Sequence, residues 1–257
     1  SVAGRSRCRT CRRTLRWYEL IPLVSFCVQR GRCRACGARL SFQYPLVEVV
    51  CALLAVFVPL RLERLYRFDL HGAGGDPAWF FAVTGLYLIA AFTIVFLSAV
   101  DVRLRIIPDQ ANGLVAITGA AIALILKGVT VPLQSSLGHY ALLFGAQGEL
   151  FANRAIAAAI GIAFFGALVL ATRGRGMGFG DVKLAGALGL LLGWPDMALA
   201  MLLAFILGGL AGLILIVCKK KAMKDKLPFA PFFVAGFALT VFYGAAIVGE
   251  YFRLFEL

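Results

Sequence analysis

The chain has 257 residues, 61% of them hydrophobic, with a mean hydropathy of +0.88. Soluble domains are about half apolar, so this composition excludes an ordinary soluble globular protein. The net charge of +13, from 26 basic and 13 acidic residues, raises nucleic-acid binding as a class, but the charges sit beside apolar runs instead of gathering on one polar domain, which argues against it.

Residues 1–43 read as a small polar module rich in Arg and Cys. The chain begins at Ser1 and reads as processed or trimmed, and the basic stretch Arg5 to Arg16 has no apolar core of a cleavable signal peptide. Cys8-Arg9-Thr10-Cys11 and Cys33-Arg34-Ala35-Cys36 are two C-x-x-C hooks with 21 residues between them. Such a pair supplies four thiolates for a tetrahedral zinc ion. Disulfides and redox chemistry are the competing readings, and a structural zinc that folds a module too small for its own core is preferred. Four thiolates on one Zn²⁺ carry about −2, and the surrounding arginines stabilise that charge. Cys51 and Cys218 lie in apolar runs and read as packing residues; Cys27 reads as packing before spare ligand.

From residue 44 to 257 the chain reads as membrane domain, an all-α polytopic bundle of about seven transmembrane helices. The apolar runs place crossings near 44–61, 79–100, 110–127, 155–172, 181–195, 197–217 and 229–249. The run at 181–195 is short and Gly-rich, which fits a tilted or partly re-entrant segment. Gly72, Gly74 and Gly75 mark a loop before the second crossing, and Pro132, Gln134, Ser135, Ser136 and Gly138 mark the longest loop. The sequence shows no internal repeat at a fixed period.

Every second connection is basic. Arg5 to Arg39 precede the first crossing, Arg103 and Arg105 follow the second, Arg173, Arg175 and Lys183 surround the junction of the fourth and fifth, and Lys219, Lys220, Lys221, Lys224 and Lys226 follow the sixth. The positive-inside rule then puts residues 1–43 and these connections in the cytoplasm, with part of the charge contacting anionic membrane lipids.

Three aspartates stand at ends of apolar runs on that side. A carboxylate near the bilayer is costly and is a functional candidate by default. Asp101 ends the second crossing, where the helix dipole disfavours an anion, with Arg103 or Arg105 as a pairing partner. Asp109, after Pro108, opens the third, where it is equally well explained as a cap. Gly178-Phe179-Gly180-Asp181-Val182-Lys183 breaks the helical pattern before the fifth crossing. Its glycines permit unusual backbone shapes and close approach, and Asp181 gains the positive end of a helix. Asp101, without that help, is the expected holder of a shared proton. Two such carboxyls form an acid–base pair able to activate water against a peptide carbonyl.

With these motifs in place the chain resembles the bacterial prepilin peptidases, or type IV leader peptidases, of the GxGD aspartic protease group. The resemblance runs through Trp17-Tyr18, Ile21-Pro22, Arg30-Gly31-Arg32-Cys33, Tyr44-Pro45-Leu46-Val47-Glu48, Asp101 with Ile107-Pro108-Asp109, Gly176-Met177-Gly178-Phe179-Gly180-Asp181-Val182-Lys183, and Leu227-Pro228-Phe229-Ala230-Pro231-Phe232. It implies catalytic roles for Asp101 and Asp181, supported by Asp109, Gly178, Gly180 and Lys183. It implies cleavage of the short basic leader of type IV prepilins and type II secretion pseudopilins at the cytoplasmic face of the bacterial inner membrane. It also implies methylation of the new N-terminus with S-adenosyl-L-methionine, an activity associated with the cysteine module and Gly31. The family's helix before the cysteine module is not seen in this sequence, Leu20 stands where Asn is common, and Ala230 replaces a common Gly. A presenilin-type intramembrane protease, a non-enzymatic membrane transporter or assembly factor, and a zinc-stabilised scaffold without chemistry are the competing classes.

Overall fold

A computed structural model describes residues 6–66, 77–127, 135–144, 149–174, 177–219 and 227–254. The glycine loop at Gly72–Gly75, Pro132, Gln134, Arg175, Gly176 and the lysines from Lys220 to Lys226 lie outside the described residues. Regular structure among the described residues is helical throughout: α1 Val24–Val28, α2 Gln43–Tyr66, α3 Pro77–Leu104, α4 Asp109–Lys127, α5 Leu150–Ala171, α6 Phe179–Leu192, α7 Asp196–Val217 and α8 Ala230–Leu254, with 3-10 turns at Trp17–Leu20 and Gly138–Phe144. The chain divides into two compact units, Ser1–Val56 and Phe57–Leu257.

In the first unit the two cysteine hooks are built alike. The Cys8 N–H bonds the Arg13 carbonyl and the Arg12 N–H returns to the Cys8 carbonyl; Cys33 with Ala38 and Gly37 with Cys33 repeat the pattern, all at 2.9 Å. Arg12 and Gly37 both take positive φ, 56° and 68°, and the bridges Arg7–Thr14 and Arg32–Arg39 close the two turns. Each position in the second hook is its counterpart in the first shifted by about 25 residues, a structural repeat that matches the two R-C-R-x-C stretches of the sequence. Between the hooks, Glu19 is buried, takes the Arg16 N–H at 2.8 Å and pairs with Arg13. The Arg16 amide, with Arg13 beside it, holds the Glu19 carboxyl below its usual range.

Among the described residues six helices are long and apolar enough to cross a membrane: α3, α4, α5, α7 and α8 of the second unit, and α2, which runs from the first unit into the second. Their outer faces carry Leu202, Leu210, Leu213, Ile214 and Val217 of α7 in the open, where a soluble helix carries polar residues. The chain is a multi-pass membrane protein. The seventh expected segment is α6, and it is short, as its sequence indicated: its 14 residues rise about 21 Å against about 30 Å of hydrocarbon.

The cause is local. Gly193 at φ 80° turns the chain after Leu192, and Pro195 follows. Lipid cannot satisfy the backbone groups such an end exposes, so irregular backbone at depth must be buried in protein. Asn153 donates to the Trp194 carbonyl at 2.9 Å and accepts its N–H at 2.8 Å. The body of α6 is sunk among its neighbours, with Leu184, Ala185, Leu188 and Leu191 fully buried. The packing is close: a Cβ on Gly189 would stand 2.5 Å from the Cα of Ala158 on α5.

Candidate active site

At one end of this unit the last turn of α3, the first turns of α4, α6 and α8, and their connections surround a cavity of about 360 Å³. Its lining includes Asp101, Asp109, Asp181, Arg105, Lys183 and Phe229. Thus the four expected side chains of the two aspartate motifs reach one space, with Gly178 and Gly180 on its wall. Beneath it, Phe229 and Phe233 pack with Phe165 of α5 and Phe205 of α7 at ring-centroid distances of 5.2–5.9 Å, an apolar floor that holds the helix ends together.

Asp101 sits in the last turn of α3 and is only 6% exposed. The helix closes just beyond it, where Arg105 takes φ 55° and its N–H returns to the Asp101 carbonyl at 2.9 Å. Arg105 lies close enough to act on the Asp101 charge. The side-chain Oδ2 accepts the N–H of Ala230 at 3.2 Å. Ala230 is the first residue of α8, so Asp101 does receive a helix N-terminus, from another helix. The expected asymmetry, in which dipole assistance is reserved for Asp181, is therefore absent. Sequence reading missed Ala230 because a backbone amide carries no side-chain signature; the Pro-Phe-Ala-Pro block was the available signal.

Asp181 is in the first turn of α6 and reaches back to the N–H of Gly178, the residue preceding the helix, at 3.2 Å. It shares the cavity with Asp101 and feels its charge. Gly178 has ordinary extended backbone, φ −94°, and Gly180 is helical. The glycines are thus not needed for a forbidden backbone shape. Close approach explains Gly180: a Cβ there would lie 3.1 Å from Cβ of Ile107, in the connection between α3 and α4. Asp109 opens α4 and its Oδ1 accepts from Lys183 Nζ at 2.8 Å. Both side chains are mostly exposed, so this pair ties two rims of the cavity at a net value under about 1 kcal/mol.

In the first unit the four hook sulfurs of Cys8, Cys11, Cys33 and Cys36 lie within 4.8 Å of one another, close enough to hold a metal. Cys8 and Cys36 sulfurs are 3.9 Å apart, against about 3.8 Å for two corners of a zinc–thiolate tetrahedron with 2.3 Å bonds. Backbone N–H groups of Cys11 and Thr10 pull the Cys8 thiol down to about 6, and those of Cys36 and Ala35 lower Cys33. Thiolate is the form a metal takes; against the Ala38 N–H, burial and the neighbouring thiols instead push Cys36 up to about 11, so the fit of the donor set rests on the closeness of the four sulfurs. Cys27 and Cys218 are exposed and Cys51 is half-buried. Gly31 takes φ 66° in a turn, and the space a Cβ would fill is met by the Phe26 ring at 3.1 Å; packing thus accounts for glycine there.

Residues 1–62 match the bacterial peptidase A24 N-terminal domain, and residues 88–213 match the type IV leader peptidase family. The chain is similar to proteins named prepilin leader peptidase/N-methyltransferase. One from Bacillus subtilis (strain 168) is 34% identical over 253 residues, 98% of this chain and 87% of the relative. Those from Pseudomonas putida and Aeromonas salmonicida (strain A449) are each 30% identical over 97% of this chain and 75% of theirs. No solved structure gives a significant match. The match through both aspartate segments, along nearly the whole sequence, means that the chain belongs to the type IV leader peptidase family.

Proposed function

We propose that this protein is a membrane-embedded aspartic endopeptidase that removes the leader of type IV prepilins, with Asp101 and Asp181 as the catalytic pair. The observation that carries the reading is that these two carboxyls, 80 positions apart in sequence, line one cavity, where Asp101 is near enough for its charge to act on Asp181. Two neighbouring carboxyls do not both ionise easily, so the pair holds one proton between them. The ionised member takes a proton from a water molecule, and that water attacks the scissile carbonyl carbon. The protonated member donates to the carbonyl oxygen; when the C–N bond breaks, the proton taken from water goes to the leaving amine, a hydroxyl proton of the intermediate returns to the dyad, and the new carboxyl product leaves.

The family's wider substrate class, which includes pseudopilins, shares a short basic leader followed by an apolar helix, and such a helix reaches the cavity laterally from the bilayer. The basic connections favour the cytoplasmic side for this end and the bacterial inner membrane as the location, with anionic lipids as neighbours and no nucleic-acid partner. A presenilin-type protease has less support, given the similarity to named prepilin peptidases. A transporter has less support because both aspartates stand at helix ends instead of along a path through the bilayer.

The metal of the four-cysteine site is proposed to be zinc, which would hold the hooks together through Cys8, Cys11, Cys33 and Cys36 and fold the module. Elemental analysis of purified protein is expected to give about one zinc per chain; protein without zinc and with four free hook thiols would refute the site. N-methylation is proposed from the relatives' names, with S-adenosyl-L-methionine as methyl donor. Gly31, associated with that activity, has its open side closed by Phe26, so no step of methyl transfer is assigned to it.

The experiment is cleavage of a prepilin-like substrate in detergent, followed by mass spectrometry with and without S-adenosyl-L-methionine, comparing wild type with Asp101→Asn and Asp181→Asn. Cleavage by wild type, and its loss by about 10²- to 10⁴-fold in either variant, is expected. A folded single variant with wild-type turnover would remove that aspartate from the mechanism.

A further inference from the structure

The two aspartate-bearing helices meet at the cavity, yet a strong polar tie between them lies at the other end. Arg154, in the first turn of α5, is 2% exposed and among the largest fully buried side chains of the protein. Desolvating a guanidinium costs several kcal/mol, and a cation within an apolar bundle marks a place where its bonds matter.

Its two terminal nitrogens bond three other helices, while the buried Nε makes no hydrogen bond among the described residues. Nη1 donates to the carbonyl of Gly119 on α4 at 3.1 Å and to that of Leu190 on α6 at 3.2 Å. Nη2 donates to the Tyr87 hydroxyl on α3 at 3.3 Å. Leu190 O belongs to the last turn of α6, whose carbonyls have no partner within the helix. Asp196 supplies the opposing charge, while its own carboxylate is held by the Ser135 hydroxyl and the Ser136 N–H.

The geometry links this site to the dyad. α3 carries Tyr87 and Asp101, and α6 carries Leu190 and Asp181. From Leu190 to Asp181 is nine residues, about 13.5 Å of rigid helix. α6 is short, and its far end is fixed by Arg154 and Asn153, so a shift of that end moves Asp181 with it. A planar guanidinium serves all three acceptors at fixed angles; an ammonium on a flexible stem does not.

We propose that Arg154 is a positioning residue for the peptidase reaction: by pinning Leu190 of α6 and Tyr87 of α3, it fixes where Asp181 stands relative to Asp101. This rests on the dyad reading given above. Misplacing reacting groups by about 1 Å costs on the order of 10²-fold in rate, so small errors of register are read out as turnover.

The test is steady-state cleavage of a prepilin-like substrate by the full chain in detergent, with thermal unfolding recorded in the same detergent. The variants are Arg154→Met, Arg154→Lys and Tyr87→Phe, beside Asp101→Asn and Asp181→Asn. Tyr87→Phe removes one hydroxyl and is expected to stay folded, with kcat down about tenfold and KM unchanged. Arg154→Met is expected to lose on the order of 10²-fold or more, and Arg154→Lys to recover part of that loss. Folded Tyr87→Phe and Arg154→Lys proteins with wild-type kcat, whatever their Tm, would reduce Arg154 to a stability element and overturn the proposal. A loss confined to KM would overturn it too. If the Asp→Asn variants cleave as wild type does, the dyad reading itself fails, and the Arg154 proposal with it; dyad-dependent cleavage with unaffected Arg154 and Tyr87 variants sinks only the positioning role.

Discussion

The two ends of the helical unit hold the same kinds of side chain in opposite conditions. At the cavity end, Asp101 accepts one N–H from Ala230 and Asp181 accepts one from Gly178. At the other end Asp196 accepts from both the Ser135 hydroxyl and the Ser136 N–H, and Arg154 bonds three helices. An ionised carboxylate offers about four acceptor positions. Asp101 and Asp181 therefore keep unspent capacity and face an open cavity, while Asp196 is fully buried with its oxygens engaged. In an apolar protein, saturated polar groups hold helices in place, and unsaturated accessible ones are where water and a peptide bond are met.

Removing charge from each end breaks this comparison most sharply. Asp101→Asn or Asp181→Asn is expected to lower turnover by about 10²- to 10⁴-fold and to leave Tm unchanged or raised, since a poorly satisfied carboxylate near the bilayer opposes folding. Asp196→Asn is expected to do the reverse. Its amide nitrogen would face the Ser135 hydroxyl or the Ser136 N–H, a donor against a donor, at a cost of about 1–3 kcal/mol in stability. Turnover per folded molecule should stay within a few-fold of wild type. Thermal unfolding and cleavage kinetics on the same preparations measure both. An Asp196→Asn protein that unfolds like wild type but does not cleave would place Asp196 among the reactive groups and erase the distinction drawn here.

Much of this was legible in the sequence, and the gaps have physical reasons. Apolar runs near 20 residues identify helices directly, which is why the six candidate spans fall on expected segments. Asp101, Asp181, Asp109 and Lys183 were readable because each is a charge at the end of such a run. α6 was harder: 181–195 is apolar enough to span, and only the turn at Gly193 and the partners from Asn153 and Arg154 explain why it stops at Leu192. Arg154 drew no reading from the sequence: it lies one residue before the crossing expected near 155–172, whereas α5 begins at Leu150. The Asn153-Arg154 pair beside an apolar run was the clue. The two cysteine hooks were legible as R-C-R-x-C repeats, but their shared turn was not, because the positive-φ position is Arg12 in one and Gly37 in the other.

The smallest effect tests the cavity end from its backbone. Ala230 is the first residue of α8, where the N–H has no partner inside the helix, and this amide instead donates to Asp101 at 3.2 Å. Proline is tolerated at a first helical position because its missing N–H is not needed there and its φ is already suitable. Ala230→Pro thus removes the donor while leaving the helix able to start in the same place. A hydrogen bond to a charged acceptor is worth about 1.5–3 kcal/mol, so turnover should fall about 10- to 100-fold if the bond orients Asp101 for chemistry, with Tm within a few degrees of wild type. Ala230→Val, which keeps the N–H and is close to proline in bulk, serves as the control for crowding at this fully buried position. If Ala230→Pro folds and cleaves as wild type does, the amide is only a convenience of packing, and the orientation of Asp101 must come from the burial of its carboxyl against the end of α8.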